Sequence, residues 1–110
     1  MRLVLTHYID SAPEEVQTHL GPAISSGLDQ AAQFASDARE ETIVESTDQG
    51  VRVHKGLSSL DGSEVRVAGL EGLTRLEVLV PWSDADAGTP KLWAASRFAS
   101  SLADAVGAAA

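Results

Sequence analysis

Histidine, carboxylate, serine and tryptophan are the residue types here that could do chemistry, and their spacing sets tight limits on which chemistry. The three histidines, His7, His19 and His54, stand far apart and show no metal-ligand spacing of the H-x-x-x-H kind. His7 alternates with Leu3, Leu5 and Ile9, which turns it toward the interior of a strand-built layer, where a hydrogen-bonded structural histidine is the simpler role. His19 falls on a helical segment and is expected at the solvent side. Asp84 and Asp86 could hold a hard cation, but the segment lacks a twelve-residue calcium pattern and its downstream bidentate glutamate. No G-x-S-x-G elbow, S-x-x-K pair or glycine-rich phosphate loop occurs. Glu14-Glu15 and Glu40-Glu41 are adjacent carboxylates and read as helix-end and solvent charges. No metal or cofactor is expected, and no catalytic residues can be assigned.

Trp82 and Trp93 carry more weight, because a large ring is costly to leave in water. Trp82 follows the last apolar run and Trp93 falls in the first turns of the final helix. Both are therefore expected near one end of a gap between sheet and helix. There they either plug a thin core or rim a ligand entrance or oligomer contact.

These residues must be positioned by a small set of elements. Arg2 to Ile9 reads as a strand, apolar on both faces. Ser11 and Glu14 have capping-box spacing, Pro13 suits a helix's first turn, and a short helix is predicted to end at Gly21-Pro22. A second helix is predicted from Ala23 to about Ala38 along Ile24, Leu28, Ala31, Ala32, Ala35 and Ala38, weakened by Gly27. From Thr42 the period changes to alternation. Four strands are predicted, over 42–46, 50–57, 63–69 and 73–80, separated by turns.

Glu71-Gly72 as a two-residue loop sets Val67 opposite Leu76, Val65 opposite Val78 and Arg66 opposite Glu77. Asp61-Gly62 is a second hairpin signal. There a bulge near Gly56 would bring Val51 and Val53 onto the face of Val65 and Val67. Around Thr47 to Gly50, one register sets Glu45 against Arg52 and Val44 against Val53. Thr89-Pro90 then starts a long helix to about Val106, with Leu92, Ala95, Phe98, Ala99, Leu102 and Val106 as its stripe and Gly107 as its C-cap. The trailing alanines are expected to fray.

Composition bounds what these elements can be. A chain of 110 residues, 44% apolar and 22% charged, supports one domain over 1–110. With aromatics at 5%, its core is expected to be thin. Cysteine is absent, which excludes disulfides and thiolate metal sites. Eight basic against sixteen acidic residues give a net charge of −8, and the bases form no stripe, so nucleic acid is not an expected partner. No apolar run reaches the roughly 20 residues that cross a bilayer. The Leu3-Val4-Leu5 stretch is too short for a signal-peptide core, and cytoplasmic residence is the expectation.

The fold class expected is α+β: a five-stranded antiparallel sheet packed on a long C-terminal helix, with two short helices after the first strand. The opening strand, its junction Ser11-Ala12-Pro13-Glu14-Glu15-Val16, the meander and the helix from Pro90 together resemble the START / polyketide-cyclase-like (SRPBCC, helix-grip) superfamily. This chain has five predicted strands where typical members have about seven. The resemblance implies a small hydrophobic or aromatic ligand held between sheet and C-terminal helix. Trp82, Trp93, His7 and Phe98 would be the binding residues. Two other readings stand beside it: a structural or interaction module forming a homodimer without a ligand cavity, and a cyclase-like enzyme.

Overall fold

The computed structural model describes residues 1–34 and 38–109. Five strands, β1 (Arg2–Ile9), β2 (Thr42–Thr47), β3 (Gly50–Lys55), β4 (Glu64–Leu70) and β5 (Leu73–Pro81), form one antiparallel sheet in the order β1-β5-β4-β3-β2. Two helices, α1 (Pro13–Ala31) and α2 (Pro90–Ala109), pack on each other and on one face of that sheet. The other face is uncovered. No helix among the described residues is long and apolar enough to cross a membrane.

One helix, not two, follows β1. The expected break at Gly21-Pro22 does not occur, although proline inside a helix costs about 3 kcal/mol. Pro22 and Thr18 both lie on the exposed side, so water can reach the Thr18 carbonyl that Pro22 leaves without a donor. On the opposite side Val16, Leu20, Ala23, Ile24, Gly27, Leu28 and Ala31 form one unbroken buried stripe. Burying each large aliphatic side chain contributes about 1.5–3 kcal/mol, so continuity wins. Ala35, assigned to the predicted second helix, falls outside the described residues.

The capping box also gives way. Ala12 is the N-cap and makes no side-chain cap. The Ser11 carbonyl instead accepts a hydrogen bond from Thr74 Oγ1 at 2.6 Å, which ties the strand-to-helix junction to β5. Pro13 and the two glutamates occupy the first turn as the sequence predicts.

Gly27 is a contact rather than a weak point. A Cβ there would stand 2.9 Å from the Phe98 ring and 3.2 Å from the Phe98 carbonyl oxygen. The missing side chain is what lets α1 close on α2 over that ring.

The meander registers follow the alternation. Val67 faces Leu76, Val65 faces Val78, Arg66 faces Glu77, Glu45 faces Arg52 and Val44 faces Val53. Glu71 and Gly72 both have positive φ, 34° and 87°, as a two-residue hairpin turn of this hand requires. The β3–β4 link is larger than an Asp61-Gly62 turn. Lys55 and Gly56 turn the chain out with φ of 61° and 80°, and a 3₁₀ turn at Ser58–Leu60 follows. Leu57 and Leu60 are then driven into the core. Asp61 closes the excursion by accepting from the Lys55 amide at 2.9 Å. Burial of two leucines explains why a longer loop displaces the tight one. Val51 still pairs with Val65, so the apolar face is shared.

At the far end α2 runs through Gly107, the expected C-cap, to Ala109. Of its predicted stripe, Ala95, Phe98, Ala99, Leu102 and Val106 are fully buried, whereas Leu92 is exposed. Ala94 takes the inner position instead. Ala110 falls outside the described residues.

Candidate functional site: the uncovered face of the sheet

The four residues expected to hold a ligand are not brought together. Phe98 is fully buried between the helices and the sheet. Trp82 is half-buried just beyond Pro81, the partner of Arg2, while His7 pairs with Leu76. Five residues of extended strand, about 17 Å, separate those two ends of β1. Trp93 shares the Trp82 end but is 68% exposed. Lys91 Nζ lies 5.6 Å from the centroid of the Trp82 ring. It also reaches Asp86 Oδ2 at 3.2 Å. That carboxylate accepts from the Ser83 amide and hydroxyl, in a capping box at the 3₁₀ turn Asp84–Asp86. The Ser83 amide, with help from Lys91, lowers the Asp86 pKa. Asp86 therefore closes a turn.

His7 is half-buried and borders an open depression of about 430 Å³ with Asp10, Ser11, Ala103, Asp104 and Gly107. Carboxylates flank it, and its floor is the junction of β1 with the end of α2.

The densest chemistry lies elsewhere, on the sheet face that the helices leave bare. Strand alternation places Arg2, Val4, Thr6 and Tyr8 of β1 there. Their register partners on β5 are Pro81, Leu79, Glu77 and Arg75. The face continues through Glu64, Arg66 and Ala68 of β4, Arg52 and His54 of β3, and Ile43 and Glu45 of β2. Glu64 is its centre. Its side chain is only 6% exposed, yet it carries a charge.

Three guanidinium groups make that possible. Arg2 Nη1 and Arg52 Nη2 each donate to Glu64 Oε1 at 2.9 Å, and Arg66 Nε donates to Oε2 at 3.2 Å. The hydrogen bond from Arg52 does most to hold the Glu64 carboxyl at about pKa 2, against the opposing effect of burial, with Arg66 and Arg2 adding to it. In return Glu64 raises the Arg52 pKa. Arg52 also pairs with Glu45 at 3.6 Å, and His54 Nε2 lies 3.4 Å from the same Glu45 oxygen.

The lattice crosses four strands. Arg2 must span β5 to reach Glu64, passing Pro81 and Leu79, and Leu79 is 8% exposed although it points away from the helices. An arginine stem lying across β5 would do on this face part of what the helices do on the other. Farther along, Arg75 Nε lies 3.4 Å from Glu77 Oε1 but is buried without a hydrogen bond. Around the lattice stand exposed apolar side chains: Val4, Tyr8, Ile43, and Leu70 and Leu73 at the β4–β5 tip.

Cross-strand charge pairing was legible only in part. Arg66 stands opposite Glu77 in register, yet it hydrogen-bonds Glu64 two residues back on its own strand, and Glu77 pairs with Arg75. The full convergence on Glu64 lacked a sequence signal because it needs two pairings: β3 with β4 in the register that sets Arg52 opposite Glu64, and β1 beside β5, the first strand beside the last, which brings Arg2 within reach. With both in hand, the odd–even alternation would have found it.

No family model, no curated protein and no solved structure matches this chain.

Proposed function

We propose that this chain is a small helix-grip-like interaction module that pairs with a second copy of itself and works through its surface. The observation that carries the reading is the state of the grip. Phe98, Ala95, Leu102 and Val106 of α2 share one fully buried cluster with Val65, Leu76, Val78 and Val80, so side chains occupy the space a ligand would need. Apolar surface is instead left outside, with Tyr8, Ile43 and Val4 exposed on a chain this short. The antiparallel sheet with a long C-terminal helix on one face supports the resemblance to the helix-grip superfamily. Cytoplasmic residence belongs to the same reading.

Sedimentation velocity from about 1 µM to about 1 mM tests it, a range that brackets weak dimers. The expected result is a weight-average mass rising from monomer toward dimer. A constant monomer mass across the range ends the reading.

A second reading keeps a small apolar or aromatic ligand but moves it to the depression beside His7. What favours it is a half-buried imidazole bordering open space of ligand size. Fluorescence of Trp82 and Trp93 would miss such a ligand, because both lie at the other end of the sheet. The His7 ring resonances, followed through a fragment screen, are the suitable probe. Shifts at His7 that saturate would establish this reading, and their absence would remove it.

A further inference from the structure

The self-pairing just described leaves open which surface is used, and the distribution of charge answers that. The uncovered sheet face carries four arginines, Arg2, Arg52, Arg66 and Arg75, against three glutamates, Glu45, Glu64 and Glu77, a surplus of one positive charge. The rest of the chain then has four bases and thirteen acids, nine negative charges in excess. Two copies approaching through α1, with Glu14, Glu15 and Asp29 and no base, or through the acidic connecting segments bring like charges together, and α2, with Lys91, Arg97 and Asp104, offers no rows of alternating sign. Two copies approaching through the uncovered sheet face avoid that repulsion, and the interleaved signs let an arginine of one meet a glutamate of the other. We propose that two copies of this chain associate face to face through their uncovered sheet faces.

Three further features fit. Burying an ion lattice usually costs desolvation, but Glu64 is already shielded in the monomer, and its arginines retain only 37–44% of their exposure. Val4 and Tyr8 on one flank, Ile43 on the other, and Leu70 and Leu73 at the tip supply the apolar contact that charges alone would lack. The area is also suitable. Five strands about 4.8 Å apart and 6 to 9 residues long make a face about 24 Å by 20–30 Å, roughly 500–700 Å² per copy, at the low end for a specific interface and below an obligate one.

The test replaces an apolar contact by a charged, strongly hydrated side chain on each flank, at exposed positions. Tyr8→Asp and Ile43→Asp are made separately, so that one misfolded variant leaves the other, and circular dichroism verifies each. Trp93→Asp, on α2, is the control surface. The first two should weaken dimerisation at least tenfold in sedimentation velocity, with Trp93→Asp unchanged. Loss of dimer in Trp93→Asp, with Tyr8→Asp and Ile43→Asp unaffected, would overturn the face while leaving self-pairing intact. A wild-type chain monomeric throughout would overturn both. An association seen only on adding an acidic protein or a polyphosphate, with no homodimer, would assign the arginine face to a different partner and overturn the inference as well.

Discussion

The two faces of one sheet are held in opposite ways. On the inner face Val53, Val65, Leu76, Val78 and Val80 meet helix side chains, and the stabilising term is apolar area removed from water. On the outer face a single buried carboxylate gathers three arginines whose stems lie over the strands. The same alternating strands serve both, since successive residues point to opposite sides. An apolar layer loses stability with every missing volume but holds no group that titrates or whose charge salt can screen. A charged lattice tolerates exposure at its edges but depends on every partner keeping its charge.

Deleting the largest fully buried side chain strikes the inner face hardest. Phe98→Ala should cost about 3–5 kcal/mol, read as a lower urea midpoint with an unchanged slope. A cost under about 1 kcal/mol would mean that the helix layer is not what holds the inner face.

The matching blow to the outer face is Glu64→Gln, expected to cost about 2 kcal/mol at neutral pH, moderated because the freed arginines are partly solvated. Its pH dependence separates the faces. The Glu64 pKa is lowered from 4.5 to about 2 on folding, so its contribution is complete above the unfolded value and is lost as pH falls through the folded one. The stability gap between wild type and Glu64→Gln should therefore stay constant above pH 5 and close between about 4.5 and 2. The Phe98→Ala gap should not change over that window. Urea midpoints at several pH values would show both, and a Glu64 gap flat to pH 2 would break the comparison.

Gly27→Ala returns to the inner face with a smaller effect and a sign that decides something. Helix propensity alone predicts a gain of about 1 kcal/mol. The Phe98 ring and carbonyl leave no room for the new methyl, so a net loss of about 1–2 kcal/mol is expected. Phe98→Leu in the same chain should recover part of it, and a double-mutant cycle in urea measures the coupling. A simple gain would show that the helices can part at no cost.

The contrast between the faces also explains what the sequence could disclose. Hairpin registers were legible at Glu71-Gly72, where loop chemistry, alternation and charge agree over a few residues. The interruption at Gly21-Pro22 misled because local propensity argues for a break, while the stripe from Val16 to Ala31 is stabilised by a helix some 70 residues away. The Asp61-Gly62 turn misled for a related reason, since Leu57 and Leu60 prefer the core to a tight loop. Glu64 was invisible as a site because its arginines come from three strands, one of them at the opposite end of the sheet from β2. Trp93 read as a core or rim residue by type alone, and its exposure depends on the rotation of α2, set by Ala94, Ala95 and Phe98 turning inward.

The smallest expected effect asks whether the arginine lattice covers the sheet or only neutralises Glu64. Arg2 does both in principle: its guanidinium reaches Glu64, and its stem crosses β5 near Leu79. Arg2→Met keeps an apolar stem and removes the charge, whereas Arg2→Ala removes both. Each should cost about 0.5–1 kcal/mol, with Arg2→Ala the worse because Leu79 loses cover. Salt tells the two parts apart, since exposed charge is screened and apolar cover is not. Adding sodium chloride should narrow the gap between wild type and Arg2→Met and leave the gap between Arg2→Met and Arg2→Ala intact. Thermal melts across a salt series measure both gaps. If the two variants are equal at every ionic strength, the stem shields nothing, and the outer face is a set of ion pairs lying on the sheet rather than a layer covering it.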